Sequence, residues 1–327
     1  MLTKLRGWLI LTRGSNLPTV WSNLLAGWLL GYVYTDRFPW GLTILGSLVG
    51  LLIGVSLIYV GGMILNDAFD APWDSERRST RPIPSGLISV MSATIVGFLC
   101  LAFGFWFTVG SSLMEHRAVT AVLAGLLIAL VLIYDRWHKG VRWAPVVMGG
   151  CRALLPLIGF FAVGGLIDNP HFHGWWLLAL LAHPAVLWLL TASITVVARH
   201  EAVAGTPPPG VEWLLYLVPV PLILVSPHGF HKVSLFGCLL YWGWLALSNR
   251  RHRLPEGVGR RVADRLAAFP LIDFTASGLF YFGAQYMGGS LNQTQNGWVA
   301  AAVVWAWFIP LTAFGLTLLL RRWIPTT

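Results

Sequence analysis

The chain has 327 residues, 56% of them hydrophobic and only 11% charged, with a mean hydropathy of +0.70. These values exclude a soluble globular domain and define an integral membrane protein. A net charge of +9 would suggest nucleic acid in a soluble chain, but there is no helix-turn-helix or RNA-type signature and no GxxxxGKS/T phosphate loop.

At the N-terminus, Lys4 and Arg6 precede an apolar run, Gly7 to Thr12, that is too short for a signal-peptide core and is closed by Arg13. Met1 to Leu17 is therefore predicted to be an interfacial amphipathic helix. Ten apolar runs of roughly the length needed to cross a ~30 Å hydrocarbon layer follow: Leu17–Thr35, Gly41–Leu65, Gly86–Gly110, Ala118–Tyr134, Val146–Ile167, Trp175–Ala198, Glu212–Ser226, Lys232–Ser248, Leu266–Gly288 and Trp298–Leu320. Cys100, Cys151 and Cys238 lie far apart inside these runs, which suggests neither a disulfide framework nor a zinc site.

Basic residues set the orientation. With a cytoplasmic N-terminus, eighteen Lys and Arg fall on the cytoplasmic side and three, Arg37, Arg117 and Lys232, on the other. This places the loops after spans two, four, six and eight, and both termini, in the cytoplasm. Thr206 to Gly210 (TPPPG) reads as a rigid loop, and no flexible linker or strong repeat divides the chain.

Four of the thirteen acidic residues, Asp67, Asp70, Asp74 and Glu76, fall within ten positions just after span two. Asn66 and Asp70 are one helical turn apart on one face. Pro72 disfavours helix at Ala71, so the helix is expected to stop there and the turn to swing Asp74 back toward them. Such a group of oxygens suits Mg²⁺, which takes one or two carboxylates and completes its octahedron with water and phosphate. Arg77, Arg78 and Arg81 follow closely enough to pair with phosphate or to cap the acids. On residue types alone, a solvated mixed-charge loop accounts for the stretch equally well.

The string Asn66-Asp67-Ala68-Phe69-Asp70, then Asp74, then Arg81-Pro82-Ile83-Pro84-Ser85-Gly86 resembles the NDxxDxxxD signature and trailing RPIPSG of the UbiA-type intramembrane prenyltransferases. The resemblance implies an all-α bundle of nine to ten transmembrane helices around a central cavity open to the cytoplasm. It covers about residues 13–288 of a single domain, 1–327, with 298–320 an added helix. It further implies Asn66, Asp67, Asp70 and Asp74 as Mg²⁺ ligands, with Asp70 and Asp74 serving the reaction.

Other segments extend the likeness. Arg152, the one basic residue inside a span, follows Gly149-Gly150-Cys151 and resembles the family's G-x-x-R, near the diphosphate; snorkelling to the headgroups is the alternative. Tyr134 to Lys139 with Arg142 resembles the basic segment after helix four. Lys139 is its leading phosphate contact, Asp135 either a salt-bridge partner or a further metal oxygen, and ordinary loop charge the other reading. Arg13, Asn16 and Asn23 resemble an R-x-x-N element, and Asn23 either lines the cavity or bonds another helix.

The second aspartate-rich motif of the family is missing. No aspartate occurs between Asp168 and Asp264, so after span six only Glu201 offers a carboxylate, with Thr191 and Thr195 as weaker oxygens and Arg199 as a compensating charge. His200-Glu201 does not begin a zinc HExxH, and His171 and His173 read as surface residues. Most of the eighteen Trp, seventeen Phe and eight Tyr suit lipid-facing and interfacial positions. Phe69 is the aromatic within the motif.

The expected activity is Mg²⁺-dependent transfer of a prenyl group from a polyprenyl diphosphate to an aromatic or other lipophilic acceptor in the membrane. Asp70, Asp74, Lys139, Arg152 and Glu201 would serve the chemistry. Asn66, Arg77, Arg78, Arg81, Arg142 and Arg199 would hold the diphosphate. The alternative is a non-catalytic carrier of isoprenoid lipid built on the same fold.

Overall fold

A computed structural model describes residues 2–33, 42–164, 175–202, 209–226, 231–252, 258–288 and 293–324. Among these residues the chain is helical with no strand, because apolar segments in lipid must satisfy their own backbone groups. Arg37, Thr206, His171 and His173 lie outside the described residues. The helices are α1 (Leu2–Thr12), α2 (Leu17–Val33), α3 (Leu42–Arg77), α4 (Val90–Ser111), α5 (Arg117–Trp137), α6 (Ala144–Val163), α7 (Trp175–Ala202), α8 (Pro209–Leu217), α9 (Val220–Val225), α10 (His231–Arg251), α11 (Val258–Ala267), α12 (Phe269–Gly288) and α13 (Gln293–Leu320). Segments within α3, α4, α5, α6 and α7 are long and apolar enough to span a membrane, and Gly210–Val225 and Trp305–Leu320 are shorter apolar stretches. The chain is an integral, multi-pass membrane protein.

Two spans depart from the sequence expectation. The seventh is broken into α8 and α9 around Val218-Pro219. Pro219 has no N–H for the carbonyl of Leu215, and the Tyr241 hydroxyl of α10 donates to that oxygen instead at 3.0 Å. The ninth begins at Phe269 rather than Leu266, because Leu266 belongs to α11, a separate amphipathic helix with arginines at 260, 261 and 265.

Helices α2 and α6 pack with their backbones in contact. A Cβ at Gly27 would sit 1.8 Å from the Pro156 carbonyl oxygen, and one at Gly159 would sit 2.2 Å from that of Leu24. Small residues permit this approach, and close packing is what drives helix association in lipid. The contact fixes the height of Arg152 on α6 against Thr19 on α2. Helix α3 has 36 residues, about 54 Å at 1.5 Å per residue, against a ~30 Å hydrocarbon layer. Its last turns therefore project beyond the lipid, and they carry the acidic motif.

The turn after α3 is held by its own backbone. Ser85 N–H donates to Arg81 O at 2.9 Å, Gly86 N–H to Ile83 O at 3.0 Å and Ile88 N–H to Pro82 O at 3.1 Å. Gly86 sits at φ +76°, a region that glycine enters without a Cβ penalty. Ile83 and Ile88 are buried with Ala68 and Ala71 of α3 and Leu11 of α1. Helix α1 thus clamps the turn rather than lying free on the interface.

Candidate active site

Pro72 does not end α3, which runs one further turn to Arg77. Proline costs a hydrogen bond to Ala68 and crowds the preceding residue, but the end is secured by Arg78 N–H donating to Asp74 O at 2.7 Å. It is also secured by Arg81, whose Nη1 lies 2.7 Å from Asp74 Oδ2. Because the helix continues, Asp67 and Asp74, seven residues apart, share one stripe. Both face Arg81, which is 3.4 Å from Asp67 Oδ1. Arg13 reaches the same Asp67 oxygen at 2.9 Å. Arg13 is a non-glycine residue at φ +45°, a conformation sparsely populated for side-chain-bearing residues, and it turns the chain between α1 and α2. Burial works against the Arg13 charge, but Asp67 and Tyr59 outweigh it and leave the pKa raised.

The other stripe of α3 faces the end of α5. Asn66 Nδ2 donates to Asp135 Oδ1 at 3.1 Å. Lys139 Nζ is 2.7 Å from Asp70 Oδ1, and His138 Nε2 is 3.7 Å from Asp70 Oδ2. The His138 ring stacks on Tyr134 with centroids 4.9 Å apart, and Arg199 of α7 donates to the His138 carbonyl at 3.1 Å. Gly140 at φ +72° turns the loop back directly after Lys139. Trp73 is covered by two cations, Arg77 at 4.4 Å and Lys139 at 4.5 Å from its ring centroid.

Below this cluster lies a cavity of about 310 Å³, at the small end of the usual range for ligand sites. Its wall is mainly apolar, from Val20, Val55, Ile58, Leu127 and Leu155 to Phe269, with Arg13, Asn16, Tyr59, Asp135, Arg152, Thr191 and Thr195 as the polar lining. Arg152 donates from Nη2 to Thr19 Oγ1 at 2.7 Å and lies 4.1 Å over the Phe269 ring. It faces the cavity, not the headgroups. Thr191 and Thr195 donate to Leu187 O and Thr191 O of their own helix. Their oxygens still have lone pairs for the cavity.

The expected meeting of Asn66, Asp70 and Asp74 at one point does not form. Among the described residues no three His, Cys, Asp or Glu side chains group closely enough to hold a metal, because Asp67 and Asp74 are turned to arginines. Asp135 lines the cavity, Asn66 is bonded to it, and Asp70 stands one turn further along α3. Asp135 Oδ2 is buried with no hydrogen-bond partner, an orphaned acceptor beside an amide and a second acid. That set, an amide and two carboxylates, fits a hard cation such as Mg²⁺ that draws its other ligands from a diphosphate.

Several expected contacts lie elsewhere. Arg77 pairs with Glu76 at 3.0 Å on the surface, and Arg78 and Arg142 are exposed. Phe69 is exposed as well. Arg77 and Arg78 stand at the exposed end of α3 and Arg142 in the loop between α5 and α6, so their side chains turn to solvent rather than into the cavity. Glu201 is in the last turn of α7, and its side chain falls outside the described residues.

The sequence profile of the UbiA prenyltransferase family matches residues 20–257. The chain belongs to that family. Among curated UbiA-family relatives, the protoheme IX farnesyltransferase of Alkalihalophilus pseudofirmus is 31% identical over 73% of this chain and 78% of its own length. The enzyme of the same name from Methylobacterium sp. strain 4-46 is also 31% identical, over 73% and 79%. In fold, a solved digeranylgeranylglyceryl phosphate synthase superposes with a TM-score of 0.50 at 16% identity, covering 95% of this chain and 97% of that one. The family's activity is prenyl transfer from isoprenoid substrates, which this UbiA chain therefore shares at that level of description.

Three features of this UbiA chain were missed in the sequence. Tyr59 lines the cavity and donates to Arg13 O at 3.3 Å. Helix α11 contributes Val262 and Leu266 to the cavity wall, and their spacing with Val258 is an amphipathic signal that was legible. Asp273 is fully buried among partners. Asn23 Nδ2 donates to its Oδ1 and Oδ2 at 2.9 and 2.8 Å, Ser22 Oγ bonds Oδ2 at 2.5 Å, and His183 Nε2 bonds Oδ1 at 2.8 Å. Asn23 is thus an interhelical bond, not a cavity residue.

Proposed function

We propose that this protein is a Mg²⁺-dependent prenyltransferase that moves an allylic group from a polyprenyl diphosphate to a lipophilic aromatic acceptor, with its basic end facing the cytoplasm. The observation that carries the reading is the Asn66, Asp70, Asp135 and Lys139 cluster at the mouth of an apolar cavity that holds Arg152 inside. Residues 1–327 would form one transmembrane domain, with α13 an addition to the family core.

In this mechanism Asn66, Asp70 and Asp135 would hold the metal. A Mg²⁺ held there would supply positive charge to the diphosphate as its C1–O bond breaks. Lys139 exchanges Asp70 for a phosphate oxygen, and Arg199 and Arg152 add charge from α7 and α6. Such preorganised cations favour the leaving group in a water-poor site. Arg81 and Arg13 keep Asp67 and Asp74 occupied and so fix the loop that closes the mouth. The electron pair of the broken bond leaves with diphosphate. The allylic carbon then bonds to the acceptor, whose displaced proton passes out toward the polar mouth. Apolar walls and the face of Phe269 exclude water from the cation meanwhile.

In this reading Arg199 and Arg152 supply the charge that a second metal site would otherwise provide. The names of the relatives make protohaem the first acceptor to try. Purified protein in lipid nanodiscs with Mg²⁺, farnesyl diphosphate and protohaem should release diphosphate and yield a prenylated product by mass spectrometry. Diphosphate binding without any release, over protohaem, hydroxybenzoate and homogentisate, would instead establish the carrier reading.

A further inference from the structure

The cavity below the Asn66 and Lys139 cluster has a floor. Its lining residues furthest from that cluster are Val20, Val55, Leu127, Leu155, Thr191 and Phe269, on α2, α3, α5, α6, α7 and α12 in turn. One helical turn beyond them stand Leu24, Leu51, Ala124, Ile158, Leu187 and Asp273, and every one of these is fully buried. Each of the six helices therefore closes one turn past the wall it contributes. Two links hold that level shut: the backbone approach of Gly159 to the Leu24 carbonyl, and the bonds of Asn23 to Asp273.

Several seams in the sides are closed as well. Helix α3 meets α5 where a Cβ on Gly62 would come within 2.8 Å of Val131. Helix α5 meets α6 at Leu130 and Gly150, with a corresponding distance of 2.9 Å, and α6 meets α7 at Gly149 and Trp188, at 2.7 Å. Between α2 and α3, Trp21 Nε1 donates to Ser56 Oγ at 2.8 Å. A chain that enters at the mouth has the depth of the cavity to occupy and is barred from lipid at these four contacts.

The wall is not uniform. Apart from the phenols of Tyr59 and Tyr134, α3 presents Met63, Ile58 and Val55 below Asn66, and α5 presents Val131 and Leu127 below Asp135. Arg152, Thr191 and Thr195 enter from α6 and α7 instead. An apolar column thus descends along the same two helices whose ends carry Asn66, Asp70 and Asp135. A diphosphate held by that cluster has its first carbon at the head of the column.

The depth of the column sets a length. Asp135 to Leu127 on α5, and Met63 to Val55 on α3, are each eight residues apart, about 12 Å at 1.5 Å per residue. An extended chain advances about 1.2 Å per bond, as a peptide does with three bonds per residue. An isoprene unit adds four chain bonds and so takes about 5 Å. The column holds between two and three such units, about ten to fifteen carbons.

We propose that the cavity is a blind chamber for the donor's prenyl chain, and that Val55 at its lower wall and Leu51 in its floor restrict the donor to geranyl or farnesyl length. This rests on the prenyltransferase reading above. Burial of each added methylene against the column favours the longer chain until the floor is met, and a further isoprene unit gains nothing.

The test is equilibrium binding to full-length protein in nanodiscs with Mg²⁺, using the thiolodiphosphates of dimethylallyl, geranyl, farnesyl and geranylgeranyl alcohols. Each variant is compared with wild type on the same probe, so that partition of the probe into lipid cancels. Val55→Phe fills the lower column and should weaken the farnesyl probe by about tenfold or more, the scale of two methylene groups kept from an apolar wall. It should leave the dimethylallyl probe within about twofold. Leu51→Ala opens the floor and should improve geranylgeranyl relative to farnesyl by about fivefold or more. The milder Val55→Leu and Leu51→Val should move the same ratios in the same directions by less, and they decide the matter if the larger changes lower the melting temperature too far to assay. Variants that shift all four probes alike, or none beyond about twofold, overturn the proposal, because the chain then lies outside this column. Wild-type protein that binds none of the four brings down the prenyltransferase reading as well. Wild-type binding with variants blind to chain length brings down this inference alone.

Discussion

Asn66 on α3 donates a 3.1 Å hydrogen bond to Asp135 at the end of α5, although 69 residues separate them. The bond leaves the second Asp135 oxygen buried and without a partner. It joins the acidic motif to the basic loop that begins at His138, so the two halves of the mouth are a single assembly. Replacing Asp135 with Asn should remove a metal oxygen while keeping the bond to Asn66 available. Mg²⁺-dependent binding of farnesyl thiolodiphosphate should fall by about tenfold or more with the melting temperature nearly unchanged, as isothermal titration and thermal melting would measure.

Asp70 and Asp74 should separate under mutation. Asp74 is almost fully buried and bonded to Arg81, and breaking a buried pair strands a charge at 3–5 kcal/mol. Arg81 is partly exposed, so Asp74→Asn should cost about 2 kcal/mol, below that range. Asp70→Asn should cost less than about 1 kcal/mol, because its Lys139 partner is 38% exposed and screened. Diphosphate affinity should respond in the opposite order, and unchanged affinity in Asp70→Asn would refute the assignment.

Lys139→Met should weaken diphosphate binding by about tenfold. The triple variant Arg77→Gln, Arg78→Gln, Arg142→Gln should stay within about threefold of wild type, a change of less than 1 kcal/mol. Both are titrations at fixed ionic strength, since exposed charges act partly through screening.

Gly27→Ala would drive a methyl into the Pro156 carbonyl. Overpacking of this kind costs 1–3 kcal/mol, and a backbone neighbour yields poorly, so about 3 kcal/mol is expected. As α2 and α6 separate, Arg152 loses Thr19, and diphosphate affinity should fall together with the melting temperature. A loss of stability alone would show that Arg152 is positioned by something else.

Much of this architecture was legible because its signals are short-range. Each long span follows from apolar runs, and the acidic motif and RPIPSG turn are contiguous strings. What escaped reading depends on phase or distance. Pro72 looked like a stop because its local cost is visible in sequence, whereas the Arg81 and Asp74 pair that offsets it is not. Extending α3 by one turn then moved Asp67 and Asp74 to one stripe and Asn66 and Asp70 to another, which dispersed the expected ligand group. The break at Pro219 was hidden by continuous hydrophobicity, and Tyr241 repairs it from another helix. Arg321 follows the last apolar run, and nothing local tells that its nitrogens are buried.

The cluster at Asp273 bears on how the chain is made. Ser22 and Asn23 on the first long helix meet their carboxylate only 250 residues later. During synthesis α2 enters the bilayer with two polar groups that no segment yet emerged can match in this way, and α7 brings His183 in the same condition. Biogenesis must therefore shelter these helices until α12 arrives, and the bundle locks at a late step. Nascent chains halted before residue 269 should remain protease-sensitive and bound to the insertion machinery, and those halted after 288 should not.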